Sequence, residues 1–320
     1  MSAAEFVAAH EPAIRLGAFF SVFAVMALWE ILAPRRTLAV SKARRWPANL
    51  GIVILNSVLM RLLFPVAAVG IAAFAAAQGW GVFNYVSAPY WLAVLASVVA
   101  LDFIIYLQHV VFHAVPALWR LHRMHHADLD FDVTTSARFH PIEIALSMLI
   151  KFAAIIVLGA PVLAVVVFEV LLNAAAMFNH SNARIPVAID RWLRWLIVTP
   201  DMHRVHHSVE RRETDSNFGF NLSWWDRLLG TYRAAPAAGH EGMVIGIPEF
   251  RDPAQCATLT GMLALPFNGP LRDAAAGLTP NHDRGLALSN NSKAADRQSG
   301  FPAQQQTSDP HLRQPTEASS

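Results

Sequence analysis

The sequence predicts an all-α fold: a membrane bundle of about four or five helical segments with a helical, histidine-rich cap on the cytoplasmic side that holds two metal ions. The first observation is the composition: hydrophobic residues make up 54% of the 320 residues, and charged residues make up only 15%. Long apolar runs in such a chain need a lipid environment. The second observation is that ten of the 14 histidines fall between positions 109 and 207 in short, repeated patterns.

The first two predicted membrane segments flank a basic stretch. Residues 16–29 are uncharged and, with their flanks, approach the roughly 20 residues that span a bilayer. The positive-inside rule puts the following stretch in the cytoplasm and the N-terminus outside. Its basic residues are Arg35, Arg36, Lys42, Arg44 and Arg45. Residues 48–77, interrupted by Arg61 and Pro65, then cross outward, and a run of this length must tilt, kink or partly re-enter.

Three further apolar segments bring the histidines to one side of the membrane. Residues 90–106 return the chain to the cytoplasm and run directly into the first histidine pair. Residues 144–158 and 162–178 are separated by the turn signal GAP, which predicts a hairpin that returns to the cytoplasmic side. In residues 191–198, RWLRWLIV, arginine alternates with tryptophan and leucine, a pattern typical of a short helix in the membrane interface.

The spacing of the histidines predicts a metal centre. Residues three and four apart share one face of a helix, so HxxxH at 109–113 and HxxHH at 122–126 and 203–207 each direct several imidazoles one way. Pro116 breaks the helix between the first two patterns and allows the second to fold over the first. Crowded imidazoles without a cation leave hydrogen-bonding capacity unused and repel one another when protonated.

The number of ligands favours two metal ions. A single zinc ion takes about four ligands, whereas eight to ten imidazoles are enough for two ions. Imidazole suits iron, zinc, copper or nickel, so the residue type alone leaves the metal open. The location favours an oxidising metal, because a site beneath an apolar bundle faces lipid chains, and their C–H bonds resist acid–base chemistry.

Other classes of function lack support in the composition. The formal net charge of +2 gives no reason to expect nucleic acid as a partner. The single cysteine, Cys256, excludes an intrachain disulfide and a self-contained iron–sulfur cluster.

The histidine patterns and their order resemble a known group, the fatty acid hydroxylase and sterol desaturase superfamily of membrane di-metal oxygenases. The resemblance covers residues 98–235, through DFIIYLQHVVFH, WRLHRMHHADLDFDVTTSARFHPIE, FNHSN, TPDMHRVHHS and DSNFGFNLSWWDRLLGTY. One departure is Val110, where the family commonly has a basic residue. The matching domain would be preceded by membrane helices in 1–97 and followed by an extension in 236–280 and a polar, disordered tail in 281–320.

The resemblance implies two irons in a cytoplasmic cap, although zinc is possible in the isolated protein. Eight histidines match the ligand boxes directly: His109, His113, His122, His125, His126, His203, His206 and His207. His180 matches an additional histidine that precedes the last box, and His140 matches a further motif histidine.

The expected function is oxidation of a lipid C–H bond with O₂, with hydroxylation favoured over desaturation. The sequence carries no dinucleotide-binding turn and no haem domain, so the electrons would come from a separate reductase or electron-transfer protein. A metal transporter and a zinc hydrolase remain as alternatives, the latter with Asp102, Glu143 or Asp201 as its base. Asp102 has two further interpretations, as a partner that orients an imidazole or as the cap of a membrane helix.

Overall fold

The computed structural model describes residues 6, 7 and 9–269, so the predicted tail from 281 lies outside the described residues. The described part is helical, with isolated β-bridges and no named strand. Five segments in it are long and apolar enough to cross a membrane: Glu11–Leu32, Lys42–Tyr85, Tyr90–Ala114, Pro141–Leu158 and Val162–Asn179. The predicted all-α bundle of four or five membrane segments is therefore confirmed.

The first two segments differ in continuity. Helix α1 (Glu11–Leu32) is unbroken, whereas the second segment contains α2 (Lys42–Leu63), α3 (Ala68–Ala77) and the single turn α4 (Val82–Tyr85). The break between α2 and α3 contains Pro65, whose ring disfavours a helical conformation at the residue before it. The predicted interruption of this long apolar run is thus found.

Helix α5 (Tyr90–Ala114) carries the first histidine pair to the end of the bundle. It is followed after one residue by α6 (Pro116–His126), which has Pro116 at its first turn. Proline is tolerated there because the first N–H groups of a helix have no intrahelical partner. The predicted break at Pro116 is confirmed, and the chain turns so that α6 packs against the end of α5.

Helices α7 (Pro141–Leu158) and α8 (Val162–Asn179) form the predicted hairpin. Gly159 ends α7 in the left-handed conformation, with φ 63°. An added Cβ at this glycine would lie 2.8 Å from the Trp80 carbonyl oxygen, so the close approach also requires glycine.

The remaining helices are short: α9 (Val187–Leu193), α10 (Pro200–His206), α11 (Arg211–Thr214), α12 (Trp224–Leu228), α13 (Gly239–Gly242), α14 (Pro253–Cys256) and α15 (Leu259–Ala264), with 3₁₀ turns at Val133–Ala137 and Leu265–Phe267. The helix predicted over 191–198 is displaced toward the N-terminus. It begins after Pro186 and ends at Leu193, because Ile197 instead forms a β-bridge with Leu222.

One hydrophobic core lies where α3, α5, α7 and α8 meet, and α1 packs along α8. Its buried residues include Ala72 of α3, Leu101 of α5, Ile155 of α7 and Phe168 of α8. Large apolar side chains on the outer face of α1, such as Phe20, are exposed, as expected of a helix that faces lipid. This arrangement brings the ends of α5, α7 and α8 together on the side where α6 and α10 lie.

Candidate metal centre

Nine of the ten predicted histidine ligands converge in two buried groups, and in each group the ligand atoms lie within 4.8 Å of one another. The five-histidine group consists of His109, His113, His122, His126 and His206. The four-histidine group consists of His125, His180, His203 and His207. Each group has enough imidazoles for one metal ion.

Each HxxHH pattern is divided between the two groups. His122 and His126, one turn apart on α6, belong to the five-histidine group, whereas His125 belongs to the other. On α10 the assignment is reversed, since His206 lies in the five-histidine group and His203 in the four-histidine group. Both groups therefore depend on α6 and α10, and neither is complete without these two helices.

One histidine stands at the middle of each group. In the five-histidine group, His109 Nε2 lies 3.0 Å from His122 Nε2 and 3.0 Å from His206 Nε2. In the four-histidine group, His180 Nε2 lies 3.1 Å from His125 Nε2 and 3.1 Å from His203 Nε2.

The outer ring nitrogens show why these Nε2 atoms are acceptors. Nδ1–H of His109 donates to the Phe218 carbonyl at 2.8 Å, that of His206 to the Ser216 carbonyl at 2.7 Å, and that of His180 to the Ala176 carbonyl at 2.7 Å. A neutral imidazole that donates from Nδ1 carries a lone pair on Nε2. Lone pairs held about 3 Å apart repel one another unless a cation lies between them.

Unpaired ring nitrogens also indicate that the histidine groups bind cations. Both ring nitrogens of His207 are buried without a hydrogen-bond partner among the described residues, so one of them is available to a cation. Nδ1 of His125, His126 and His203 is also unpaired, but it is the outer nitrogen of each ring, since Nε2 faces the other imidazoles. Buried polar atoms are rarely left in this state in a folded protein. The donor set, all imidazole, fits iron or another transition metal in both groups.

Two of the candidate ligands have a carboxylate next to the outer ring nitrogen. His122 Nδ1 lies 2.6 Å from Glu143 Oε1, and His113 Nδ1 lies 3.2 Å from Asp215 Oδ1. A carboxylate behind a metal-binding imidazole fixes the orientation of the ring and raises its basicity.

Burial keeps the candidate ligands neutral. It lowers the pKa of His122 and His180 to about 3. Burial, with a smaller effect of the neighbouring imidazoles, holds the pKa of His125, His126 and His203 well below the usual value. The histidines are therefore in the unprotonated state that metal binding requires.

Comparisons with known proteins agree with this geometry. The sequence profile of the fatty acid hydroxylase family matches residues 93–231. These residues are thus similar to the fatty acid hydroxylase family, which supports the resemblance to the fatty acid hydroxylase and sterol desaturase superfamily. The resemblance noted in the sequence is thereby confirmed.

Curated relatives match a stretch of comparable length in the chain. An ornithine lipid hydroxylase of Rhizobium tropici is 30% identical over 148 residues, which are 46% of this chain and 44% of the relative. An alkylglycerol monooxygenase of Xenopus tropicalis is 29% identical over 160 residues, 48% of this chain and 34% of the relative. A fatty acid hydroxylase of Lecanicillium sp is 29% identical over 156 residues, 44% of this chain and 42% of the relative. The chain thus spans less than half the length of these relatives, and no solved structure matches at a comparable level of significance.

The last part of the residues that match the family profile holds the candidate ligand His109 in place. Asp226 is fully buried and accepts hydrogen bonds from the backbone N–H groups of Phe218 at 2.7 Å and Gly219 at 2.9 Å. It thereby fixes the Phe218 carbonyl that accepts from His109. No role for Asp226 was predicted from the sequence, although an acidic residue between the tryptophans and leucines of WWDRLLG was a signal for one.

Asp102 supports the same segment, and both interpretations of it were wrong. Its carboxylate accepts from the backbone N–H of Leu222 at 3.2 Å and from Trp225 Nε1 at 2.8 Å. It lies in the middle of α5, so it caps no helix, and its hydrogen-bond partners include no imidazole among the described residues.

A buried ionic network follows directly after the second histidine pattern. Arg45 of α2 is fully buried and pairs with Asp128 at 2.7 Å and Asp132 at 2.6 Å. Arg138 donates to the Met124 carbonyl at 2.7 Å. The network fixes the loop after α6, whose last turn carries two of the candidate ligands, His125 and His126.

His140 is the predicted ligand that lies outside both groups. It caps α7, where its Nδ1 accepts from the Ile142 N–H at 3.2 Å. We expect His140→Ala to retain the full metal content and to lower thermal stability slightly, because an N-cap contributes about 1 kcal/mol. Metal analysis of the purified variant checks this, and loss of a metal ion would show that His140 is a ligand.

Glu143 is expected to raise the metal affinity of the five-histidine group. Glu143→Ala removes the acceptor behind His122, and we expect metal affinity to fall about 10- to 100-fold. Glu143→Gln retains an oxygen that can accept from Nδ1, so its loss should be smaller. Competition with a chelator measures both affinities, and equal affinity of Glu143→Ala and the wild type would contradict the assigned role.

Proposed function

We propose that this protein hydroxylates a lipid C–H bond with O₂ at two iron ions held by the two histidine groups. The observation that carries the proposal is the convergence of Nε2 lone pairs in two buried groups at the end of an apolar helix bundle. When bound, iron supplies the redox chemistry that activates O₂ toward an otherwise unreactive C–H bond.

The residues of the chain orient the ligands and exclude water. The carbonyls of Phe218, Ser216 and Ala176 retain the Nδ1 protons, so the opposite nitrogens stay available. Phe220 forms the boundary with the apolar core, since its ring lies 5.3 Å from the His109 ring and packs with Leu101. A hydrocarbon chain is the class of substrate that suits such a boundary.

The relatives support hydroxylation over desaturation. Their names describe hydroxylases and monooxygenases of an ornithine lipid, an alkylglycerol and a fatty acid, each of which contains long hydrocarbon chains. We propose a membrane lipid as the substrate and a separate reductase or electron-transfer protein as the electron donor. The basic stretch between α1 and α2 supports a cytoplasmic location for the histidine groups.

A zinc hydrolase is less well supported, because the candidate bases are engaged elsewhere. Asp102 accepts from the segment at 221–225, Glu143 backs His122, and Asp201 pairs with Arg35 and Arg204. A transporter needs ionisable groups along its membrane segments. Lys151 and Glu169 instead form an ion pair with each other at 2.5 Å, away from the histidines.

Mass spectrometry of total lipids tests the proposal. Cells grown in air with the wild-type protein are compared with cells that carry His206→Ala. We expect a lipid that has gained one oxygen in the wild type alone, whereas loss of two hydrogens would identify a desaturase. Absence of any oxidised lipid, with iron-loaded protein, O₂, a reductase and the three lipid classes supplied, would contradict the proposal.

A further inference from the structure

Two segments of the hydroxylase domain together present a large apolar surface. The anchor surface, defined as residues 187–196 and 223–229, exposes Trp192, Trp195, Leu196, Trp224, Leu228 and Leu229. Trp192 and Leu228 are each 72% exposed. Contiguous exposed apolar side chains of this size mark a place where a protein meets a partner or a membrane.

The two segments are fixed to each other. Trp224 Nε1 donates to the Trp195 carbonyl at 3.0 Å, and Arg227 Nη2 donates to the Arg194 carbonyl at 2.9 Å. The Arg227 guanidinium also stacks on the Trp195 ring, with its carbon 3.9 Å from the ring centroid. These side-chain-to-main-chain hydrogen bonds therefore fix segment 223–229 to segment 187–196, so their exposed apolar side chains form one surface.

The position of the surface along α5 indicates its depth. Trp225 lies between the exposed residues and donates from Nε1 to the Asp102 carboxylate at 2.8 Å. Its ring packs against that of Phe103, with the ring centroids 4.7 Å apart. Asp102 precedes His109 by seven residues, which is about 10 Å along a helix. The anchor surface thus contacts α5 on the membrane side of the histidine groups, within the segment that is apolar enough to span a bilayer.

We propose that the anchor surface inserts into the phospholipid leaflet next to the histidine groups. Tryptophan and leucine with flanking arginine are typical of elements that lie at the boundary between headgroups and acyl chains. Arg191 is exposed beside Trp192 and offers a cation to lipid phosphates. The contact with α5 favours lipid over a second copy of the chain or a soluble protein, because the membrane already surrounds that helix at this depth.

The proposal rests on membrane insertion of the bundle and is independent of the reaction. Its effect on the site is mechanical. The segment 223–229 of the anchor surface is preceded by Leu222, which forms the β-bridge with Ile197. Four residues before Leu222 is Phe218, whose carbonyl accepts the hydrogen bond from His109 Nδ1–H. Lipid contact would therefore stabilise a segment that positions a ligand.

Spin labels at single cysteines test the depth of this surface. Trp192→Cys and Leu228→Cys are made separately in a Cys256→Ala background, which removes the native thiol. The control is Glu249→Cys, at an exposed position in the segment that packs on α6. The full-length proteins are reconstituted into phosphatidylcholine vesicles, and collision of each nitroxide with dioxygen and with a polar nickel chelate is measured by electron paramagnetic resonance.

We expect labels at 192 and 228 to collide more with dioxygen than with the nickel chelate, because dioxygen concentrates in the acyl region and the chelate stays in water. The label at 249 should show the opposite ratio. Nickel collision at 192 or 228 equal to that at 249 would overturn the proposal. Shielding from both reagents would also overturn it, because a protein would then cover the surface. Neither result depends on catalytic activity, so failure here leaves the proposed reaction standing.

Discussion

His206→Ala is expected to remove both metal ions and to abolish the proposed lipid hydroxylation. His206 Nε2 lies 3.0 Å from the central His109 of the five-histidine group, and the adjacent residue, His207, belongs to the four-histidine group. Helix α10 supplies histidines to both groups. Loss of the His206 side chain should therefore displace the other histidines of this helix and weaken metal binding in both groups. Removal of a residue behind a ligand commonly costs 10- to 100-fold, so removal of a ligand should lower turnover by more than about 100-fold.

Metal analysis of the purified protein and turnover of the identified lipid measure this effect. His10→Ala is the control, since His10 is exposed beside the first turn of α1 and outside both groups. It should keep two metal ions per chain. Retention of one ion in His206→Ala would show that the groups fill independently, and retention of both with full turnover would contradict the assignment of His206.

The membrane architecture was predictable because it depends on local features of the sequence. Apolar length identified the five segments, Pro65 marked the break in the second one, and Pro116 marked the end of α5. The helix expected over 191–198 was displaced because its end depends on a distant bridge between Ile197 and Leu222. Such a pairing leaves no periodic signal at either residue.

The candidate ligands could also be identified from the sequence, but their division between two groups could not. Helical spacing brings imidazoles to one side of α6 and α10, yet which histidine joins which group depends on how the two helices cross. The groups that bond to the outer ring nitrogens of the histidines were harder to predict from the sequence. The Phe218 carbonyl is a backbone atom, so no side chain in the sequence marks it, and Asp226 acts on His109 only through that carbonyl.

Arg45→Met is expected to destabilise the folded protein more than any single substitution on the surface. The Arg45 guanidinium is fully buried and bonds Asp128 through Nε at 2.7 Å and through Nη2 at 2.8 Å. Its Nη1 bonds Asp132 at 2.6 Å. Methionine fills a similar volume but leaves both carboxylates buried without their cation, and removal of one partner of a buried ion pair costs about 3–5 kcal/mol.

The melting temperature in detergent or nanodiscs measures the loss, and two variants separate its causes. Arg44→Met, at the exposed neighbouring position, removes the same charge without touching the network and should melt close to the wild type. Arg45→Lys keeps the charge but cannot reproduce the paired bonds to Asp128, so an intermediate melting temperature is expected. Since Asp128 follows the last ligand of α6 by only two residues, Arg45→Met should also weaken metal binding. Equal melting temperatures for Arg45→Met and Arg44→Met would show that the aspartates are stabilised without Arg45.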